Sequence, residues 1–171
     1  MALNEKFGRG KGKITGNNPN DLVYTPRPIA KAIINLFGLN GIVLDAFRGG
    51  GAFYDQLPPD VDRDWCEIKD GKDFFDYNKK VDWIVSNPPY SILDEVFEHS
   101  FEIAENVVYL LPLSKVFTSM GRIRRILEYG NIKEIHILSA SKCGFPFGFP
   151  ACAIWIKRNY LGETKIAELK I

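Results

Sequence analysis

The sequence contains few cysteines, no long apolar run and no excess of charge of one sign. Its three cysteines, Cys66, Cys143 and Cys152, are far apart and form no Cys-x-x-Cys spacing. This fits neither a zinc site nor a disulfide framework, so we expect a reducing compartment and no bound metal. No apolar run is long enough to span a bilayer and no apolar signal region comes first, so a cytoplasmic location without membrane contact is expected.

Two common nucleotide-binding signatures are also missing. The chain has no Gly-x-Gly-x-x-Gly spacing and no Gly-Lys-Ser/Thr triplet, which argues against a dinucleotide site and a phosphate-binding P-loop. The formal net charge is +1, so there is no global basic field. Any contact with nucleic acid must therefore come from local patches.

The 171 residues divide into a short polar segment and one domain. Residues 1–20 are rich in glycine, lysine, arginine and asparagine and show no periodicity. Two interpretations stay open for them: a flexible tail, or a basic arm that binds phosphates. The cations of such an arm are Lys6, Arg9, Lys11 and Lys13. We expect residues 21–171 to form a single domain with one hydrophobic core.

Short apolar runs that end in turns alternate with stretches of helical spacing. Ser91 is predicted to cap one helix with Asp94 as its capping-box partner, and Gly130 to end another. The alternation predicts an α/β fold with a mostly parallel sheet and helices on both faces, and ligands bind such sheets at the carboxyl ends of the strands. The predicted strands are 41–47, 62–68, 81–86, 107–112, 132–138 and 152–158, and the other predicted helices are 29–37, 52–57 and 114–130.

A glycine-rich turn follows the first predicted strand. Asp45 closes that strand, and Gly49, Gly50 and Gly51 come directly after Arg48. Glycine lets the backbone turn sharply and approach a ligand closely. Asp45 either orders this turn or meets a charged ligand. Glu67, at the end of the second strand, stands where ribose hydroxyls are often held, although a solvated surface residue is the alternative.

The tetrapeptide Asn87-Pro88-Pro89-Tyr90 directly follows the third predicted strand. Two prolines fix the backbone, so the Pro88 carbonyl is presented by a rigid turn beside the amide oxygen of Asn87. Two acceptors held together suit both hydrogens of a substrate amino group, and Tyr90 offers a flat face for a planar ring. A tight turn that only ends a strand is the alternative.

With these motifs in this order, the chain resembles the amino-methyltransferases, especially the N6-adenine-specific DNA methyltransferases, including small ones carried by phages. The resemblance covers about residues 22 to 158. It implies S-adenosylmethionine as the cofactor and Asn87, Pro88, Pro89 and Tyr90 as the catalytic motif. The residues that match the family's cofactor-binding segments are Tyr24, Thr25, Pro26, Asp45, Ala46, Phe47, Arg48, Gly49, Gly51, Glu67, Ile68, Asp73, Phe74 and Asn87.

The resemblance also assigns the substrate side. Tyr90 and Phe145 are expected to stack on the target base, with Phe149 as the alternative for the second face, although the loop's aromatic residues also suit a core. For contact with nucleic-acid phosphates we predict Lys115, Arg122 and Arg125 beside Arg124, together with Lys11 and Lys13 of the arm. A solvated helix face is the alternative for the arginines.

The fold implied is a Rossmann-like class I methyltransferase whose last strand, 152–158, inserts antiparallel into the sheet. Only five residues separate Glu67 from Asp73, so the sheet is expected to be reduced at one edge. No block of sequence is large enough for a separate target-recognition domain. Specificity is therefore expected to be slight, or to come from loops or a partner subunit.

The function expected is methylation of an exocyclic amino group of a nucleic-acid base, with adenine N6 in DNA favoured over cytosine N4. Because the cofactor's methyl group is already electrophilic, positioning carries most of the catalysis and no metal is needed. Methylation of an RNA base or of a protein glutamine amide uses the same motif. The glutamine enzymes usually carry a helical domain before the glycine motif, and about forty residues precede it here. A methyltransferase-like subunit that binds without turnover is the non-enzymatic alternative.

Overall fold

The protein folds around one seven-stranded sheet. The computed structural model describes residues 23–144 and 148–171. Within them every predicted strand is present, and one further strand follows near the C-terminus. The strands are β1 (Ile42–Asp45), β2 (Asp62–Trp65), β3 (Val81–Ser86), β4 (Ala104–Pro112), β5 (Gly130–Leu138), β6 (Ala151–Arg158) and β7 (Lys165–Glu168).

The strand order is β2-β1-β3-β4-β6-β5-β7. The strand β6 runs antiparallel to both of its neighbours, β4 and β5, while the other pairings are parallel. A mostly parallel α/β sheet and the antiparallel insertion of the segment 152–158 are therefore confirmed. The prediction that this segment is the last strand was wrong, because β7 follows it and pairs with β5 at the edge of the sheet.

The opposite edge of the sheet is reduced, as expected. The strand β2 is the edge strand there. Between Glu67 and Asp73 the chain makes one turn of 3-10 helix, Ile68–Asp70, and a bridge between Glu67 and Lys72. Five residues are too few for a further helix and strand, so the chain returns directly to β3.

Within residues 23–144 and 148–171, four α-helices pack on the sheet, on both of its faces. The ring of Phe97 in α2 contacts Tyr109 of β4, while Phe37 at the end of α1 contacts Trp155 of β6. Tyr109 is paired with Ile154, the residue before Trp155, and neighbouring residues of a strand point to opposite faces. Thus α1 and α2 cover opposite faces. The helices are α1 (Arg27–Leu36), α2 (Leu93–Ile103), α3 (Leu113–Phe117) and α4 (Met120–Tyr129). No described helix is long and apolar enough to cross a membrane.

The helix predicted over 114–130 is two helices. Ser119 interrupts it, because its side chain caps α4 by accepting a hydrogen bond from the Arg122 amide at 3.2 Å. Gly130 is not a left-handed helix end but the first, extended residue of β5. A Cβ atom there would collide with the carbonyl oxygen of Lys157, so the glycine permits close approach of β5 and β6.

Two other local predictions need correction. The segment predicted as a helix over 52–57 forms one 3-10 turn, Tyr54–Gln56, because Pro58 and Pro59 leave no room for a longer helix. The N-cap of α2 is Ile92, whose side chain makes no capping bond, and Ser91 lies inside the 3-10 turn Tyr90–Ile92 that precedes the helix. Pro88 and Pro89 stand just before this turn, and the helix starts only after it.

Candidate active site

The glycine turn rests on a buried carboxylate. Asp45 ends β1 and is fully buried. Its Oδ1 accepts a hydrogen bond from the Ser86 hydroxyl at 2.7 Å, and its Oδ2 accepts one from the Tyr54 amide at 3.1 Å. Burial raises the pKa of Asp45 to about 6, against the opposing effect of these hydrogen bonds. Two roles were considered for Asp45, namely ordering the turn and meeting a charged ligand. The geometry supports the first role.

Ser86 couples the turn after β1 to the end of β3. While it donates to Asp45, its Oγ accepts a hydrogen bond from the Phe47 amide at 3.0 Å. Ser86 is buried and directly precedes Asn87. The glycine turn and the Asn-Pro-Pro-Tyr turn are therefore joined by one buried network at the carboxyl edge of the sheet.

Glu67 supports the glycine turn from its other side. Its Oε2 accepts a hydrogen bond from the Gly49 amide at 2.8 Å, and its Oε1 accepts one from the Lys69 amide at 3.2 Å. Gly49 and Gly51 have φ values of 50° and 78°, a region that favours glycine. Each carboxylate oxygen of Glu67 accepts one such bond and retains a lone pair for a ligand.

Arg48 lies between aromatic rings at this edge. Its guanidinium carbon is 4.7 Å from the ring centre of Trp65 and 5.5 Å from that of Tyr54. An oxygen of Asp70 lies 3.9 Å from its Nη1. The Arg48 Nε is buried and has no hydrogen-bond partner among the described residues. The stacking fixes a cation beside the glycine turn.

The Asn87 amide is held by the segment in front of α1. Its Nδ2 donates to the Val23 carbonyl and to the Thr25 hydroxyl, both at 3.1 Å. Its Oδ1 accepts a hydrogen bond from the Tyr90 hydroxyl at 2.9 Å. An amide oxygen has two lone pairs, so this orientation leaves acceptor capacity for a second donor. Pro88 is buried, and Tyr90 is only 9% exposed.

A cavity of about 200 Å³ joins the two turns. The exposed ring of Tyr24 covers the glycine turn, because Cβ atoms built on Gly49 and Gly50 would each lie 3.5 Å from it. The predicted cofactor residues that line the cavity are Tyr24, Thr25, Phe47, Arg48, Gly49 and Asn87. Segments from three parts of the chain thus meet at one concave surface.

Other predicted cofactor residues stand around this cavity. Pro26 is the N-cap of α1, and Ala46 is buried beneath the turn. The Phe74 ring is buried 5.0 Å from that of Phe47, so it stands behind a lining residue. Asp73 uses its carboxylate to accept a hydrogen bond from the Phe75 amide at 3.0 Å, and Ile68 is exposed beside Glu67.

Sequence reasoning missed several residues of this site. Ser86 offers no signal beyond its place before Asn87, because its role depends on Asp45, 41 positions earlier. Gly50, Ala52 and Phe53 lie within or directly after the glycine turn, so the motif itself could have indicated them as lining residues. The lining residues that were not predicted are Val23, Arg27, Gly50, Ala52 and Phe53.

The residues predicted to meet nucleic acid differ in accessibility. Arg122 is 7% exposed, and its guanidinium donates to Asp94 Oδ1 at 3.1 Å and to the Lys115 carbonyl. This contact makes Arg122 a link between helices rather than an open phosphate ligand. Arg125 is 3.4 Å from the same carboxylate, and Lys115 is exposed. Lys11, Lys13 and Phe145 lie outside the described residues.

No protein-family model and no curated protein sequence matches the chain. Solved structures, in contrast, align with the chain. A type I restriction-modification system methyltransferase subunit from Streptococcus thermophilus aligns with a TM-score of 0.65 at 18% identity, over 88% of this chain and 48% of that one. The 23S rRNA methyltransferase ErmE aligns with a TM-score of 0.62 at 16% identity, over 81% and 71%. A dimethyladenosine transferase from Plasmodium falciparum aligns with a TM-score of 0.61 at 12% identity, over 80% and 63%.

The chain has a Rossmann-like methyltransferase fold. The three structures share it at identities that establish architecture alone. The chain spans about half the length of the type I subunit. The resemblance read from the motifs and the likeness in three dimensions therefore agree on the class of fold.

Proposed function

We propose that the protein is an S-adenosylmethionine-dependent methyltransferase that acts on an exocyclic amino group of a nucleic-acid base, with adenine N6 in DNA as the favoured target. One observation carries the proposal. The Asn87 amide, fixed by Val23 and Thr25, lies in the wall of the same cavity as the glycine turn. An amine acceptor and a cofactor pocket side by side are what methyl transfer requires.

The cavity suits the cofactor at both of its ends. The side-chain-free turn at Gly49 and Gly50 leaves room for its methionine part, and the Arg48 guanidinium offers a partner for a carboxylate. Glu67 is the residue for the ribose hydroxyls, because both of its oxygens retain acceptor capacity. When bound, S-adenosylmethionine supplies an electrophilic methyl group on a sulfonium.

The residues of the Asn-Pro-Pro-Tyr turn would hold the substrate amine. The Asn87 Oδ1 and the Pro88 carbonyl accept its two hydrogens, which directs the nitrogen lone pair towards the cofactor. The Tyr90 hydroxyl, through its bond to Asn87 Oδ1, fixes the orientation of the amide. We assign one face of the target base to Tyr90 and the other to Phe145 or Phe149.

The chain's size bears on target recognition. Of the type I methyltransferase subunit, this chain spans 48%. We propose that residues 21–171 act as one catalytic domain, and that loops or a partner subunit supply sequence specificity. The basic residues of segment 1–20, including Lys11 and Lys13, are proposed to add phosphate contacts.

RNA is the second candidate substrate. The likeness to the 23S rRNA methyltransferase ErmE, with a TM-score of 0.62, is nearly as strong as that to the type I subunit, with 0.65. The amine chemistry is the same for both nucleic acids. Only the phosphate and sugar contacts distinguish them.

The test is methylation of unmethylated DNA, followed by digestion and mass spectrometry of the nucleosides. We expect N6-methyladenine from the wild type and at least about a hundredfold less from Asn87→Ala, since a misplaced amine loses the gain from orientation. The matched control is Asn40→Ala, whose side chain is exposed and bonds only to Gly38 nearby. Calorimetry should show cofactor binding by the wild type and by Asn40→Ala with similar affinity, and measurable though weaker binding by Asn87→Ala, since Asn87 lines the same cavity.

The alternatives give different results in the same experiment. Methylated adenine in RNA but not in DNA would move the substrate to RNA, and methylation of a glutamine peptide would move it to protein. Cofactor binding without product on any substrate would indicate a subunit that binds without turnover. Absence of cofactor binding by the wild type would contradict the proposed function as a whole.

A further inference from the structure

Charge is divided along the chain although the total is nearly balanced. Residues 41–105 contain fifteen Asp and Glu but six Lys and Arg. Residues 106–162 contain two Asp and Glu but eight Lys and Arg. A net charge of +1 for the whole chain hides this division. The basic stretch is the one that follows the candidate catalytic turn.

The fold places most of the negative charge on one side of the sheet. Ten of the fifteen Asp and Glu lie in residues 41–86, which form β1, β2, β3 and their connections. The other five lie in α2, which packs on β4, and at the start of β4. We call the part of the molecule built from residues 106–162 the basic half; it begins within β4, beside β3, and Asn87 directly follows β3. A polyanion beside the site would therefore be repelled from the β2 side and attracted to the segment after β4, which contains no Asp or Glu up to residue 127.

The basic half carries an exposed apolar and cationic surface next to the site. We call Lys115, Phe117, Met120 and Arg124 the α3–α4 surface. All four are exposed, with Phe117 at 50% and Met120 at 62%. Met120 and Arg124 are four residues apart on one helix and so share a face. This surface is at the carboxyl edge, because α3 begins where β4 ends and α4 begins three residues after Phe117.

The acidic residue at the start of α2 is already neutralised. Asp94, in the first turn of α2, is held by Arg122 at 3.1 Å and Arg125 at 3.4 Å. No Asp or Glu occurs from residue 106 to 127, and Glu128 lies one turn after Arg124 in α4. Neither Lys115 nor Arg124 makes an ion pair with any described residue, Glu128 included, so their charges are available to a ligand.

The bond from Arg122 to the Lys115 carbonyl ties this surface to the site. Through Arg122, the end of α3 is connected to Asp94, four residues after Tyr90. The α3–α4 surface therefore stands at a fixed position beside the turn that would hold the substrate amine.

We propose that the α3–α4 surface binds the DNA strand that flanks the target base, a step that rests on the proposed function. Lys115 and Arg124 contact phosphates, while Phe117 and Met120 pack against the bases left exposed beside the flipped nucleotide. The cations bind the phosphate backbone of the DNA, and the apolar side chains cover unstacked bases. A surface that carried cations alone would make only the first of these contacts. Arg122 holds the surface in place and makes no phosphate contact.

The test is binding of a fluorescent DNA duplex, measured by anisotropy over a series of salt concentrations. Lys115→Ala should weaken binding and reduce the slope of log affinity against log salt by about one, the loss of one phosphate contact. Phe117→Ala should weaken binding by about tenfold and leave the slope unchanged, because a base contact releases no counterion. Both side chains are exposed, so the variants should unfold at the wild-type urea concentration.

Two matched controls are available at the opposite edge of the sheet. Lys157 is exposed near the end of β6, which runs antiparallel and so finishes away from the site. Leu161 is 93% exposed and follows the end of the same strand. Lys157→Ala and Leu161→Ala should bind the duplex as the wild type does. The proposal would be overturned if the control variants lost as much DNA affinity as Lys115→Ala and Phe117→Ala. It would also be overturned if those two variants lost no affinity.

Other occupants give recognisable results. If Phe117→Ala abolished a self-association seen by ultracentrifugation and left DNA binding intact, the surface would be an interface between copies. If the surface variants lost affinity for an RNA oligonucleotide but not for DNA, the proposal that this surface binds DNA would likewise be contradicted. If the wild type methylates DNA and the surface variants keep its KM, this proposal fails while the proposed function stands. A wild type without any methylation product would instead count against the function.

Discussion

The glycine turn after β1 and the Asn-Pro-Pro-Tyr turn after β3 lie at the same edge of the sheet, but different forces hold them. The first rests on the fully buried carboxylate of Asp45. The second is held by the half-buried residues Val23 and Thr25 in front of α1. Buried polar groups are costly to disturb, whereas partly exposed bonds exchange with water at small cost. The first turn should therefore govern stability and the second catalysis.

The largest effect concerns the ionisation of Asp45. Its pKa rises from 3.8 to about 6 on folding, so the native state holds a proton that the unfolded chain has lost. The free energy of unfolding should fall as pH rises from about 4 to about 6, by about 3 kcal/mol in total from this group. The stabilisation is complete below the unfolded pKa and is lost as pH passes the folded one.

Urea unfolding of the wild type and Asp45→Asn at a series of pH values measures this. Asparagine keeps the shape without the charge, so the variant should be relatively less stable near pH 4 and relatively more stable near pH 7. Other carboxylates contribute equally to both proteins and cancel in the difference. A difference that stays constant with pH would mean that folding does not change the pKa of Asp45.

The next effect separates two neighbouring glycines of the first turn. Gly51→Ala places a side chain at a φ of 78°, with its Cβ within 3.0 Å of the Asp55 carboxylate. We expect a loss of about 1–2 kcal/mol in unfolding free energy and weaker binding of the cofactor. Thermal and urea unfolding, with calorimetric titration of S-adenosylmethionine, are the measurements.

Gly50→Ala is the control for this change. Its backbone is not in the left-handed region, and a Cβ there would make an ordinary contact of 3.5 Å with the Tyr24 ring. It should therefore unfold within about 0.5 kcal/mol of the wild type. If both alanine variants lost the same stability, the backbone conformation of Gly51 would not be the cause.

Local patterns predicted much of the first turn and of the sheet. Most of the predicted strands contain short apolar runs close to a glycine or proline, and such runs can be recognised without knowledge of distant residues. The strand β7 escaped notice because its four residues, Lys165–Glu168, are mostly exposed and carry no apolar alternation. It is added at the edge by pairing with β5, a contact that no local pattern encodes.

Long-range partners account for the other differences. Three arginines within residues 122–125 suggest an open basic face, yet Arg122 is buried because Asp94, 28 positions earlier, binds it. In the same way, the motif gives Asn87 a role towards substrate, but its support by Thr25 becomes visible only in the folded chain. Sequence reasoning thus proposes a chemistry for the site, but it does not predict the contacts that orient the site residues.

The smallest effect tests that support. Thr25→Val keeps the shape of the side chain but removes the hydroxyl that accepts a hydrogen bond from Asn87 Nδ2 at 3.1 Å. The bonds to Val23 and Tyr90 then hold the amide without the third, so we expect kcat to fall by about fivefold, equivalent to about 1 kcal/mol. The unfolding free energy should change by less than about 1 kcal/mol, since water can replace the lost partner of a half-buried group.

Thr25→Ser is the matched control, because it retains the hydroxyl and loses only a methyl group. If the hydrogen bond orients Asn87, Thr25→Ser should keep a kcat close to that of the wild type while Thr25→Val does not. An equal fall in both variants would assign the effect to packing in front of α1. Wild-type kcat in both would mean that Val23 and Tyr90 are sufficient to hold the amide, and the Asn-Pro-Pro-Tyr turn would then depend less on the segment before α1 than the comparison of the two turns requires.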